Sequence, residues 1–183
     1  MSQQGMVINS LEFARQQNTL SGRLEPGALP RLADVLFDNS AKLGDRIEFR
    51  LAGVAAVKLG GAMSEDHALM LEVDGVLHLV CQRCLGALEY PIYLRRRLVL
   101  VKPGASWSDN DVDVGLELEL ETDGEGSDEI EASRELQVAA LVEEEILLAL
   151  PIAPRHENCV APDNTAASRE ISPFAKLAQL KRS

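Results

Sequence analysis

The sequence predicts an α+β protein in which a mostly antiparallel β-meander is flanked by helices. Stretches of alternating apolar and polar residues between residues 46 and 102 are typical of strands with one buried face. Apolar residues at helical spacing over residues 133–150 predict a long helix in the C-terminal half. We therefore expect a single α+β domain over residues 1–154 and an irregular tail over residues 155–183.

Two helices are predicted before the first long strand. Residues 9–18 suit a short helix, and residues 28–43 suit a longer one. Pro30 fits the first turn of that second helix, and Gly44 is a typical stop signal. Its apolar positions at helical spacing are Leu29, Leu32, Ala33, Leu36 and Phe37.

Several extended segments follow and predict the meander. Residues 47–53 alternate apolar and polar side chains, as a half-buried strand does. Residues 67–72 and 76–80 are predicted as two strands joined by a hairpin turn at Asp74-Gly75. Residues 88–102 form another extended run, which brings the predicted meander to about four strands.

The predicted long helix has a clear start and end signal. Ser133 is a favourable N-cap residue, and Pro151 ends the helix because the residue before a proline is disfavoured in the helical conformation. The residues that we predict on its apolar face are Leu136, Ala139, Ala140, Ile146, Leu147 and Leu150.

The acidic residues are concentrated in one part of the chain. Residues 108–145 contain 15 of the 29 Asp and Glu and one of the 18 Lys and Arg, which leaves 14 acidic and 17 basic residues elsewhere. Residues 103–130 are predicted to be loop-rich and acidic, with one strand over residues 116–121. The net charge of −11 repels phosphate backbones at long range, so any RNA contact would need a local basic patch.

Cys81-x-x-Cys84 is the strongest chemical motif, because two thiolates on one tight turn can bind the same zinc ion. His156 and Cys159 have the same spacing and would complete a Cys₃His set for a structural zinc. Two alternatives remain open. A redox pair would normally open a helix in a βαβ unit, which is not predicted here, and free thiols are the default interpretation.

A basic run follows in the extended segment 88–102. On a strand, Arg95 and Arg97 point to one face and Arg96 to the other. With Arg83 and Lys102 they could form a patch that binds RNA phosphates. The alternative, which we favour, is that these arginines pair with the acidic strand 116–121.

Nothing in the sequence predicts an enzyme. The run Glu143-Glu144-Glu145 points in different directions on a helix, so we interpret these side chains as mostly solvated, with one of them in contact with a basic partner, rather than as a catalytic pair. No phosphate-binding, dinucleotide-binding or nucleophile motif occurs, so we expect no small-molecule substrate.

Localisation and the last residues complete the sequence-based expectations. The polar N-terminal residues, the absence of a long apolar run and three cysteines predict a cytoplasmic protein without membrane contact. Residues 173–182 are predicted as a short amphipathic helix. Its side chains Phe174, Leu177, Lys181 and Arg182 could fold back onto the body or enter a groove on a partner.

Three stretches resemble a bacterial family, the large ribosomal RNA subunit accumulation (YceD) proteins. They are residues 79–85 (LVCQRCL), 142–154 (VEEEILLALPIAP) and 173–182 (PFAKLAQLKR), with the acidic middle at the corresponding place. Some relatives carry a second CxxC-like pair, for which His156 and Cys159 would have to substitute in this chain.

The resemblance implies a non-enzymatic role in the synthesis, processing or accumulation of 23S ribosomal RNA. The implied partners are precursor RNA of the large subunit or ribosome-assembly proteins. We rank protein partners first, because an acidic surface suits basic proteins better than bare RNA. A direct RNA-binding module is the first alternative, and an RNA-processing or redox enzyme is the second.

Overall fold

The computed structural model describes residues 6–38, 40–54, 67–102 and 127–161, and it has the α+β architecture predicted from the sequence. A five-stranded sheet has the order β2-β3-β4-β5-β6, and a separate two-stranded sheet pairs β1 with β7. The strands are β1 (Val7–Ile8), β2 (Thr19–Leu24), β3 (Arg46–Val54), β4 (Ala68–Val80), β5 (Ala87–Val101), β6 (Ser127–Glu131) and β7 (Leu136–Gln137). The helices are α1 (Ser10–Arg15), α2 (Pro30–Ala33), α3 (Ser40–Leu43) and α4 (Val138–Ala149), with a 3₁₀ turn at Pro26–Ala28.

Strands β2 to β5 form an antiparallel meander, which confirms the predicted architecture, although β2 was not predicted and β4 replaces two of the predicted strands. Strand β6 adds to the β5 edge in parallel, an arrangement that the sequence did not predict. None of the helices in the described part of the chain is long and apolar enough to cross a membrane.

One face of the large sheet is buried under the helices. The alternation in β3 places Ile47, Phe49 and Leu51 in the core and leaves the residues between them exposed. The helical side chains that join this core are Ala14, Leu32, Val138, Leu141, Val142 and Ile146, and Leu36 joins it from between α2 and α3. Truncating a buried leucine in such a core typically costs about 2–5 kcal/mol, so this layer supplies much of the stability.

The predicted hairpin at Asp74-Gly75 is wrong, because β4 runs without interruption from Ala68 to Val80. Gly75 lies opposite Ile47 of β3, and a Cβ atom added to it would lie 2.3 Å from the carbonyl oxygen of Arg46. The glycine therefore serves the close approach of two strands rather than a turn.

The single helix predicted over residues 28–43 is also wrong. The chain forms the short helices α2 and α3 instead, and Leu36 between them makes a β-bridge with Leu79. The amide of Phe37 donates to the carbonyl oxygen of His78 at 2.7 Å, so the end of β4 takes up the backbone groups that a continuous helix would have used. Gly44, with φ of 92°, follows α3 as the predicted stop signal.

Helix α4 begins later and faces the core differently than predicted. Ser133 is not the N-cap residue of α4. Its amide donates to Ser10 Oγ at 2.9 Å, and the chain then forms β7 before the helix begins. Gln137 is the N-cap residue, and Pro151 follows the C-cap residue Leu150 as expected. The buried face contains Val138, Leu141, Val142 and Ile146, whereas Ala140, which we predicted on that face, is exposed.

Two of the three consecutive glutamates of α4 are buried, so the prediction that they are mostly solvated is wrong for this pair. Glu143 accepts hydrogen bonds from the amides of Arg31 and Leu32, at 2.7 and 3.0 Å, and so caps α2. Glu145 lies 3.6 Å from Arg96 Nε of β5. Only Glu144 is exposed.

Candidate metal centre

The CxxC motif forms the tight turn between β4 and β5. The amide of Leu85 donates to the carbonyl oxygen of Cys81, and the amide of Cys81 donates to that of Gly86, both at 2.9 Å. Leu85 adopts a φ of 60° and closes the turn. Cys81 is fully buried and Cys84 is half-buried, and the turn places both thiols on the same side.

The second pair of donors comes from the irregular segment after α4. The amide of Gln82 donates to the carbonyl oxygen of Pro154 at 2.8 Å, which attaches this segment to the CxxC turn. Arg83 Nη1 donates to the carbonyl oxygen of Cys159 at 3.4 Å. These two contacts bring His156 and Cys159 over the turn.

The structure thus brings together all four residues of the predicted Cys₃His set. Their donor atoms lie within 4.8 Å of one another. The Sγ atoms of Cys81 and Cys159 are 3.8 Å apart, and Cys84 Sγ is 3.4 Å from His156 Nδ1. A zinc tetrahedron with bonds of about 2.3 Å to sulfur and about 2.0–2.1 Å to nitrogen has edges of about 3.8 and 3.6 Å, so the donor set fits this ion.

The histidine is oriented for metal binding by its second nitrogen. His156 Nε2 lies 3.0 Å from the carbonyl oxygen of Ala87, the first residue of β5. A carbonyl can only accept, so Nε2 carries the proton and Nδ1 turns its lone pair toward Cys84. Metal-binding histidines are commonly oriented by such a contact. This carbonyl could not be predicted from the sequence, because any backbone oxygen near the turn could have served.

The protonation of the thiols favours a cation at this place. Burial raises the pKa of Cys81, but hydrogen bonds from the backbone amides of Cys84, His156 and Arg83 lower it to about 5. The side chain is therefore a thiolate near neutral pH, the form that binds metals. Burial and the neighbouring thiols raise the pKa of Cys159, a repulsion that a bound dication would remove.

The arginines of the predicted basic patch do not form one surface. Arg96 faces the core side and pairs with Glu145, while Arg95 and Arg97 face the open side of the sheet. Arg95 lies 3.6 Å from Glu72 of β4, so an acidic partner is present on a strand other than the predicted one. Residues 116–121, the predicted partner strand, lie outside the described residues.

The remaining predicted binding residues are scattered. Arg83 is exposed beside the metal centre, and Lys102 is exposed just after β5. Arg97 is half-buried, and its Nε atom has no hydrogen-bond partner among the described residues. The predicted tail residues Phe174, Leu177, Lys181 and Arg182 lie outside the part of the chain that the structure describes.

A buried hydrogen-bonded pair near the candidate metal centre was not predicted from the sequence. His78 Nδ1 lies 2.6 Å from Asp45 Oδ1, which also accepts from the His78 amide at 3.1 Å. The two residues are 33 positions apart, and neither belongs to a recognisable motif. The pair joins the start of β3 to the end of β4, close to the strand end from which the CxxC turn follows.

The meander, α4 and the four convergent donors define an α+β protein with a candidate structural metal centre. The chain belongs to the family described as large ribosomal RNA subunit accumulation protein YceD, whose family model matches residues 69–181. The match covers the CxxC turn, α4 and the second donor pair, and it supports a role in the accumulation of large-subunit ribosomal RNA. The comparisons with curated proteins and with solved structures gave no match.

Proposed function

We propose that this protein supports the accumulation of 23S ribosomal RNA as a non-enzymatic cytoplasmic factor that binds an assembly protein. Membership in the family is the observation that carries the role. The four protein donors at the metal centre support a structural role for it, because catalytic zinc sites keep one position open for water or substrate.

The distribution of charge supports a basic protein as the partner. The chain has a net charge of −11. Two arginines of the basic run already have acidic neighbours, Glu72 for Arg95 and Glu145 for Arg96. Little unpaired positive charge is therefore left on this strand for phosphates, whereas an acidic surface attracts basic proteins such as those that assemble with ribosomal RNA.

Crosslinking in living cells tests this proposal. The full chain would be crosslinked in two parallel samples, with ultraviolet light for direct RNA contacts and with an amine-reactive reagent for protein contacts. We expect ribosome-assembly or ribosomal proteins to be recovered reproducibly in the second sample. Recovery of large-subunit RNA alone would contradict a protein-mediated role.

A direct RNA-binding module remains the second candidate, because Arg95 is about half exposed and Arg97 shares its face of the sheet. If it is correct, affinity for 23S precursor RNA should fall steeply with salt. Replacing Arg95 and Arg97 with Ala should reduce the slope of that salt dependence by roughly one per lost phosphate contact. Binding measured by filter retention across a salt series gives the slope.

The matched control for this experiment is Arg23→Ala. Arg23 is also exposed on the open face of the sheet, but it lies on β2 and pairs with Glu48 at 2.6 Å. This control should bind like the unchanged protein. Binding that is absent, or that does not depend on salt, would exclude the RNA-binding module. Cleavage of the same RNA by the purified protein would instead favour the enzyme alternative.

A further inference from the structure

An apolar groove lies next to the metal centre and between α4 and the end of β4. Its volume is about 480 Å³. Its apolar lining includes Val35, Leu79, Leu147, Leu150, Ile152 and Pro154. We call it the α4 groove.

Part of the lining of the α4 groove is open to solvent. Ile152 is fully exposed and Val35 is 39% exposed, although both are aliphatic. A concave apolar surface of this kind is the usual form of a docking site for an amphipathic segment. Solvent exposure alone does not identify the segment that binds there.

The course of the chain points to the occupant. Gln82 lines the groove, and its amide bonds to the carbonyl oxygen of Pro154, which also lines it. The described chain ends at residue 161, two positions after Cys159, and so leaves from the side of the groove that carries the metal centre. Residues 162–172 span at most about 36–40 Å when fully extended. This length is greater than that of the few helical turns of α4 along which the segment would dock.

The chemistry of the last residues matches that of the groove. In residues 173–183, Phe174, Leu177 and Ala178 recur at helical spacing, and there are three basic residues and no acidic one. The groove lining includes Asp34, and the C-terminal end of α4 adds the negative end of a helix dipole. The apolar side chains of the segment would therefore meet the apolar lining of the groove. Its basic residues would lie near Asp34 and the C-terminal end of α4.

We propose that residues 173–182 dock into the α4 groove of their own chain through Phe174 and Leu177. Docking within one chain is favoured over binding to another molecule because the short connection keeps the segment at a high effective concentration. The docked segment covers Ile152 and Val35. This inference concerns a contact inside the protein and does not depend on the proposed function.

Site-specific photocrosslinking of the full chain tests the proposal. A benzophenone amino acid would replace Phe174 in one sample and Gln179 in another, because Gln179 falls on the opposite side of the predicted helix. After irradiation, mass spectrometry should show crosslinks from position 174 to residues 147–154 within single chains. Position 179 should give none to the groove.

Substitutions in the groove make the test sharper. Ile152→Arg places a cation where the basic segment would dock, and because the side chain is exposed it should not disturb the fold. The crosslink from position 174 should be lost in this variant. It should persist in Leu43→Arg, which makes the same change of charge at an exposed leucine of α3 outside the groove.

Three results would overturn the proposal. They are crosslinks from position 174 to other parts of the chain, crosslinks between two chains, and crosslinks to the groove that survive Ile152→Arg in a protein with unchanged circular dichroism. Crosslinks between two chains would show that a second copy occupies the groove.

Discussion

At the scale of single residues, two neighbours in β4 show how a local signal can mislead. Asp74-Gly75 has the composition of a hairpin turn, yet both residues lie within a continuous strand. A glycine is needed at position 75 because a side chain there would collide with the carbonyl oxygen of Arg46 on β3. Sequence alone does not distinguish a glycine that allows a turn from one that allows close contact between strands.

Replacing Gly75 with Ala should therefore destabilise the protein strongly. The added Cβ would lie 2.3 Å from a backbone oxygen, so β3 and β4 would have to separate locally. We expect a loss of about 2 kcal/mol or more in the free energy of unfolding, measured by urea denaturation. Gly27→Ala is the control, because an added Cβ there meets no atom within 4 Å. Equal stability of the two variants would contradict this account of β4.

The Glu145 carboxyl is a second residue whose environment matters more than its sequence context. Burial raises its pKa, as does the carboxylate of Asp128, while Arg96 lowers it and Glu144 raises it again. The net shift is upward from the usual 4.5. The protonated form is favoured in the folded state, so the stability that it contributes is present below pH 4.5 and is lost as pH rises through the raised pKa.

Glu145→Gln should remove this pH dependence, because the amide imitates the neutral acid. Relative to this variant, the unchanged protein should become less stable as pH rises from about 4 to 7. Urea denaturation of both proteins at several pH values measures the difference in the free energy of unfolding. A difference that stays constant, or that changes in the other direction, would show that Glu145 titrates normally in the folded protein.

At the scale of secondary structure, prediction succeeded where one periodicity dominated. The alternation of apolar and polar residues from Ile47 to Leu51 predicted β3 correctly, and the extended run after Leu88 predicted β5. It failed where tertiary hydrogen bonds compete with local preference. Leu36 pairs with Leu79 and interrupts a helix that its own spacing would support, and the parallel pairing of β6 with β5 has no local signature.

The candidate metal centre was predictable in composition but not in assembly. The spacing of Cys81 and Cys84 and that of His156 and Cys159 indicated two halves of one site. Only the topology shows that they meet, since the end of α4 brings the second pair against the turn between β4 and β5. Spacing within each half says nothing about the distance between the halves.

Loss of one cysteine should remove both the metal and a substantial part of the stability. We expect about one zinc per chain in the untagged protein, measured by elemental analysis, and almost none in Cys84→Ala. The melting temperature of this variant should fall by roughly 10 °C. His67→Ala is the control, because this histidine lies outside the cluster. The zinc content of that variant should equal that of the unchanged protein. A fully folded and metal-free protein would exclude the centre.

At the scale of the whole molecule, the acidic stretch of the sequence overlaps the fold. Residues 108–145 contain 15 of the 29 acidic residues, and they include β6, β7 and the part of α4 in which Glu143 and Glu145 are buried. The buried part explains the stability of the protein. The net charge of −11 favours basic partners at long range, so crosslinking to assembly proteins is the most direct test of the proposed role.

The metal centre also has a consequence for the length of the chain between its two halves. An ion bound to Cys84 and His156, which are 72 positions apart, would close a large ring that includes residues 103–126. Ring closure depends only on the logarithm of ring size, so a dozen inserted residues would change its entropy by only about 0.1 kcal/mol. Insertions or deletions in this stretch should thus be tolerated thermodynamically, while loss of the ion would open the entire ring.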